Sequence, residues 1–107
     1  DELFKHFGYS NMHMGTVEGD FSIESFLDKL KNLHPAHVHL APFMIVAGDH
    51  ATNDMSGEDD DSWKSILEKE GYSVKCTLKG LGEIQAVRDI FIRHTKAGLD
   101  RLSEIQA

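Results

Sequence analysis

The chain has 107 residues, enough for one small domain and too few for two. Hydrophobic residues make up 40% of it and fall into a core-forming pattern, which excludes a disordered tail. The formal net charge is −7 and no basic patch is visible, which argues against nucleic acid or an anionic membrane as partner.

The single cysteine, Cys76, rules out an internal disulfide and reads as a small core residue in an alternating apolar segment. No signal-peptide pattern and no apolar run of membrane-spanning length are present. A cytoplasmic location is expected, with the periplasm left open.

In chain order, Asp1 to Phe7 reads as the last turns of a helix, with Leu3, Phe4 and Phe7 at helical spacing and Gly8 as the stop. Ser10 to Val17 alternates like a short strand and leads into the turn Glu18-Gly19-Asp20. Ser22 or Asp20 caps the next helix. Its apolar stripe is Ile23, Phe26, Leu27, Leu30 and Leu33, and Pro35 ends it. Val38 to Ala47 is nearly unbroken apolar, as in a strand buried on both faces. Pro42 inside it marks a local irregularity.

Gly48 to Asp60 is a long polar connection, with a short helical start near Ala51 to Met55. Asp60, Asp61 or Ser62 caps a helix whose inward residues are Trp63, Ile66 and Leu67, ending at Gly71. Tyr72 to Leu78 alternates as a third strand. The last helix runs from about Ile84 to Ser103, with an imperfect stripe of Val87, Ile90, Phe91, His94, Leu99 and Leu102. This alternation of helices and strands is the rhythm of a doubly wound α/β sheet. A crossover helix connects two strands, so the opening helix implies a first strand that this chain lacks: cleaved, disordered or supplied by another chain.

Ligands of open α/β sheets bind beyond the carboxyl ends of the strands. Glu18 follows one strand and His50 follows the next, so both belong to one sheet edge. Imidazole and carboxylate together suit a divalent transition metal or proton transfer. The same pair would be unremarked as a solvated turn carboxylate and a helix-capping histidine, and no zincin-like or thiolate metal motif accompanies it. His37 and His39 share one strand face but lie at its entry, away from His50. His13 is nearer the expected ligand edge. The run Glu58, Asp59, Asp60 and Asp61 reads as a solvated acidic loop and helix cap, rather than a cation site. Met12 and Met44 read as core, and Trp63 as a packing anchor.

Several segments, in one order and with matching spacing, resemble the anaerobic sirohydrochlorin cobaltochelatases, a class II tetrapyrrole chelatase family. They are G-T-V-E-G at Gly15 to Gly19, P-F-M-I-V-A-G-D-H-A at Pro42 to Ala51, N-D-M at Asn53 to Met55, D-D-S-W-K at Asp60 to Lys64 and G-L-G-E at Gly80 to Glu83. The resemblance implies a chelatase-like three-layer α/β/α domain with a parallel sheet. Residues 1–107 would form most of the C-terminal domain, lacking its first strand. It further implies insertion of Co²⁺, or of Fe²⁺ or Ni²⁺, into sirohydrochlorin in anaerobic cobalamin biosynthesis, with no nucleotide cofactor.

By this resemblance His50 is the metal-binding histidine and Glu18 the acidic metal-site residue, both catalytic. His13 and Met44 are secondary candidates for touching the tetrapyrrole, and Lys79 and Arg88 for its carboxylates. A second family histidine, in a G-H-G-T segment, has no counterpart here. The expected partners are sirohydrochlorin, a divalent metal ion and the missing N-terminal part or a complementary chain; a homo-oligomer is the further expectation. The readings from other classes are a metal- or tetrapyrrole-binding module without catalysis and a structural half-domain.

Overall fold

A computed structural model of the chain describes residues 2–106, so position 1 of the expected opening helix lies outside the described residues. Helix α1 is Glu2–His6, α2 is Ile23–Leu33, strand β1 is His37–Leu40, α3 is Trp63–Lys69, strand β2 is Ser73–Cys76 and α4 is Gln85–Gln106. A single π turn at His50–Met55 and a 3₁₀ turn at Leu81–Glu83 fall between them. The two strands pair in parallel, with His37 opposite Ser73 and Leu40 opposite Cys76. The protein is therefore α/β with a small parallel sheet, as the sequence rhythm predicts.

The sheet has two unlike faces. Val38, Leu40, Val74 and Cys76 are half-buried, while His37, His39, Ser73 and Lys75 are exposed. Ile23 and Leu30 of α2 and Leu67 of α3 form the buried centre, with Phe26, Leu27, Trp63, Ile66 and Tyr72 packed around it. Of the stripe expected on α2, Ile23, Phe26, Leu27 and Leu30 face inward while Leu33 is exposed; the inward residues expected on α3 are those found. Helix α2 begins after Ser22 and ends at His34, which takes the left-handed conformation (φ 49°) and returns its amide to the Leu30 carbonyl. Helix α3 is capped by Ser62, whose Oγ accepts from the Ser65 amide at 3.1 Å and donates to the Gly57 carbonyl at 2.7 Å.

Three expectations are corrected. Ser10 to Val17 forms no strand. Residues 12–16 run without a ladder partner among the described residues, and Thr16 bonds locally to the Phe21 carbonyl. The segment lies instead on aromatic rings: a Cβ on Gly15 would come within 2.6 Å of Phe26 and 2.7 Å of Trp63. The strand expected from Val38 to Ala47 ends at Leu40, because buried Pro42 has no amide hydrogen to give a ladder. Its polar face also contradicts burial on both sides. Past Leu40 the two chains stay together irregularly: the Leu81 amide bonds to the Met44 carbonyl at 2.7 Å and Gly82 to Ile45 at 2.9 Å.

Third, the stripe expected on α4 is not packed. Val87 is half-buried, and Ile90, Phe91, His94, Leu99 and Leu102 are exposed. The helix leaves the 3₁₀ turn, braced there by Arg88, and buries no side chain along its 22 residues. It gives the molecule a long axis of 62 Å and a radius of gyration of 18.0 Å, where a compact chain of this length has about 13 Å. No described helix is both long and apolar enough to cross a membrane.

Candidate functional site

The exit of β1 is where the sequence places its chemistry. After Leu40 the chain curls through Ala41 to Gly48 and enters the π turn at His50. That turn is anchored by buried Ala51 and Met55. Ser56 closes it, with its amide and Oγ both bonded to the Ala51 carbonyl, at 3.2 Å and 2.9 Å. His50, at the start of the turn, points outward with its side chain 68% exposed. Its Nδ1 lies 2.7 Å from Asp54 Oδ2. This bond and the Asp54 charge hold the imidazole pKa above its ordinary value of 6.5, and Glu18 and Asp49 add to the rise.

Glu18 stands in the turn that ends the extended segment. Gly19 beside it has φ +97°, a left-handed geometry that glycine takes without strain. The carboxylate is exposed, and its field reaches the His50 ring. Glu18 is a lesser contributor to the rise at His50, after the bond and charge of Asp54. Among the described residues, no cluster of three or more His, Cys, Asp and Glu side chains is arranged to hold a metal.

Beside His50 lies a groove of about 390 Å³. Its walls are mainly apolar: Met14 and Val17 from the extended segment, Phe43 and Met44 from the β1 exit, then Met55 and Trp63. An apolar ligand face suits such walls, and the His50 imidazole is the one titratable side chain among the groove's described lining residues. Met44, expected in the core, is half-buried and lines this groove. His13 sits to one side, its ring edge-on to Phe26 at 6.2 Å between centroids. Burial, followed by the nearby charges of Lys29 and Lys5, lowers its pKa below 6.5.

The remaining candidates have other occupations. Asp60 pairs with Lys69 at 3.3 Å, and the Asp59 carbonyl accepts from the Ser62 amide at 3.1 Å. Glu58, Asp59, Asp60 and Asp61 are exposed, and Ser62 supplies the cap. His39 Nε2 shares a 2.6 Å hydrogen bond with Thr77 Oγ1 on the open sheet face. Arg88 donates to the Gly82 carbonyl at 3.0 Å and to Gln85 Oε1 at 2.7 Å. Lys79 is exposed. Cys76 is half-buried, and burial pushes its thiol pKa up, as for an inert packing cysteine. Sequence reasoning missed Asp54; the available signal was its position one turn after His50 in H-A-T-N-D.

A small parallel sheet flanked by helices, with an apolar groove beyond the end of β1, defines an α/β domain of the open-sheet class. The family described as Cobalt chelatase (CbiK) matches residues 1–100, and the chain belongs to that family. The chain is 40% identical over 91 residues to the sirohydrochlorin cobaltochelatase of Salmonella typhimurium, covering 85% of this chain and 34% of that protein. It is 35% identical over 94 residues to the sirohydrochlorin cobaltochelatase CbiKC of Nitratidesulfovibrio vulgaris, covering 88% of this chain and 33% of that protein. The chain thus spans about a third of the length of these curated relatives.

Proposed function

We propose that these residues belong to an enzyme that inserts Co²⁺ into sirohydrochlorin. The observation that carries this reading is an exposed His50 lining an apolar groove, its Nδ1 hydrogen-bonded to Asp54. Family membership and the names of the relatives agree with it. Fe²⁺ and Ni²⁺ accept the same donor types, so the donor set does not select cobalt.

The chemistry exchanges one dication for two protons. As the metal enters the macrocycle, two pyrrole N–H protons leave, and ring charge is conserved. His50 is the principal ligand of the incoming metal. Imidazole binds Co²⁺ firmly enough to collect it, and it gives the ion up as ring nitrogens replace it. Glu18 is a second ligand or a proton acceptor, and it offsets the metal's charge at the rim. The groove walls hold the ring by its apolar face, so that both reactants meet in one orientation. Two donors do not fill a cobalt coordination sphere; donors outside this chain complete it.

We further propose that the chain is most of a C-terminal chelatase domain without its first strand. The extended segment 12–16, which lies beside the sheet without a ladder, supports this. A strand inserted there would pair it and complete the wall of the groove. Basic groups outside this acidic chain would then meet the substrate's carboxylates, because Arg88 is already engaged.

The test is Co²⁺ insertion into sirohydrochlorin by the full-length protein, followed by the change in tetrapyrrole absorption. His50→Ala is expected to abolish insertion and leave the fold intact, since an exposed rim residue adds little packing. Glu18→Ala is expected to slow it by on the order of 10²-fold, the usual worth of one acid–base group. A fully active His50→Ala protein would overturn the site assignment.

A further inference from the structure

We infer that Asp54 is a positioning residue: its carboxylate holds the His50 imidazole in the tautomer protonated at Nδ1, so that Nε2 presents its lone pair to the incoming metal. The inference rests on the reading of His50 as metal ligand.

The geometry is direct. His50 Nδ1 and Asp54 Oδ2 are 2.7 Å apart, the length of a charge-assisted bond. A carboxylate offers only acceptors, so the nitrogen must be the donor. A neutral imidazole carries one proton, and fixing it on Nδ1 leaves the lone pair on Nε2. An unconstrained histidine side chain favours the opposite tautomer, with the proton on Nε2. A carboxylate on the far ring nitrogen is the usual device for orienting a metal-ligating histidine and raising its basicity.

Both residues stand on one anchored turn. Ala51 and Met55 fix its inner side, and two hydrogen bonds donated by Ser56, from its amide and its Oγ, to the Ala51 carbonyl close it. The direction of the ring is therefore set by the backbone as well as by Asp54. The other reading is an ordinary surface ion pair, because the two side chains are 68% and 44% exposed. Such a pair contributes little and would leave the ligand properties of Nε2 unchanged.

The two readings separate by nitrogen NMR of the imidazole in the metal-free, full-length protein, in alkaline buffer where the ring is neutral. Wild type is expected to show the proton on Nδ1. Asp54→Ala is expected to shift the population toward Nε2–H and to weaken Co²⁺ binding by about 10- to 100-fold, the usual worth of such an outer partner. Asp54→Asn keeps an acceptor oxygen and is expected to retain the Nδ1–H tautomer and most of the affinity. In turnover, Asp54→Ala should lower kcat while KM for the tetrapyrrole stays put, because Asp54 does not line the groove.

Retention of the Nδ1–H tautomer in Asp54→Ala overturns the inference, as does unchanged Co²⁺ affinity after the tautomer has shifted. The far-ultraviolet circular dichroism of Asp54→Asn guards against a folding defect as the cause. Failure of the chelatase reading would look different: wild type would show the Nδ1–H tautomer and no Co²⁺ insertion at all.

Discussion

His13 and His50 sit in opposite electrostatic surroundings. Burial and the charges of Lys29 and Lys5 disfavour the His13 imidazolium; the Asp54 bond, with Glu18 and Asp49 behind it, favours that of His50. An NMR pH titration is expected to put the His13 midpoint below 6.5 and the His50 midpoint above it. The consequences for stability have opposite signs. The unfolded chain binds more protons than the native one at His13, so that contribution weakens as pH falls below about 6.5. At His50 the native state binds more, so its contribution is present below about 6.5 and is lost as pH rises through the native pKa. Metal and proton also compete at His50, and Co²⁺ affinity should begin to fall on acidification while the pH is still above 6.5. A His50 midpoint below that of His13 would contradict this account. The sequence singled out His50 and Glu18 from expected strand ends, yet the strand before Glu18 does not form and the one before His50 stops at Leu40. Sequence reasoning overlooked Asp54, although the helical start expected near Ala51 to Met55 puts it one turn after His50.

Among the elements, the acidic loop is the clearest separation of charge from function. Asp60 reaches Lys69, the Asp59 carbonyl holds the Ser62 amide, and Ser62 caps α3. Glu58→Asn with Asp59→Asn is therefore expected to change Co²⁺ affinity by less than about tenfold, the equivalent of 1.4 kcal/mol. A larger loss in a calorimetric titration would make the loop a metal-loading site. Helices α2 and α3 were legible because their apolar spacing and stop signals agree. The strands were less so. Composition alone made Val38 to Ala47 one long strand, but a missing amide at Pro42 ends the ladder at Leu40. Ser10 to Val17 has the right alternation but no strand neighbour among the described residues, and strand formation needs both.

At the scale of the molecule, much apolar surface is uncovered. Phe43 and Val46 at the β1 exit are 71% and 72% exposed, and α4 shows Ile90, Phe91, Ile92, Leu99, Leu102 and Ile105 to solvent. Exposed apolar surface of this extent is unusual for a monomer. The chain spans about a third of its relatives, and the proposed remainder is the natural cover. The 107-residue chain alone is expected to be dimeric, aggregated or partly unfolded in analytical ultracentrifugation and thermal scans. A monodisperse monomer with one sharp unfolding transition would count against the missing-strand proposal. The sequence predicted the apolar stripe of α4 but not that it would stay exposed among the described residues.

The absence of any buried side chain on α4 also fixes how its amides meet solvent deuterium. Their hydrogen bonds are local to the helix, so they open by local fraying and need no disruption of the sheet. Arg93, Lys96 and Arg101 would present trypsin with cleavage points in that opened state, while β1 and β2 stayed protected by their ladder. Once α4 docks on a partner surface, the same amides should slow by orders of magnitude. Deuterium uptake along this one helix is therefore a gauge of assembly that needs neither substrate nor metal.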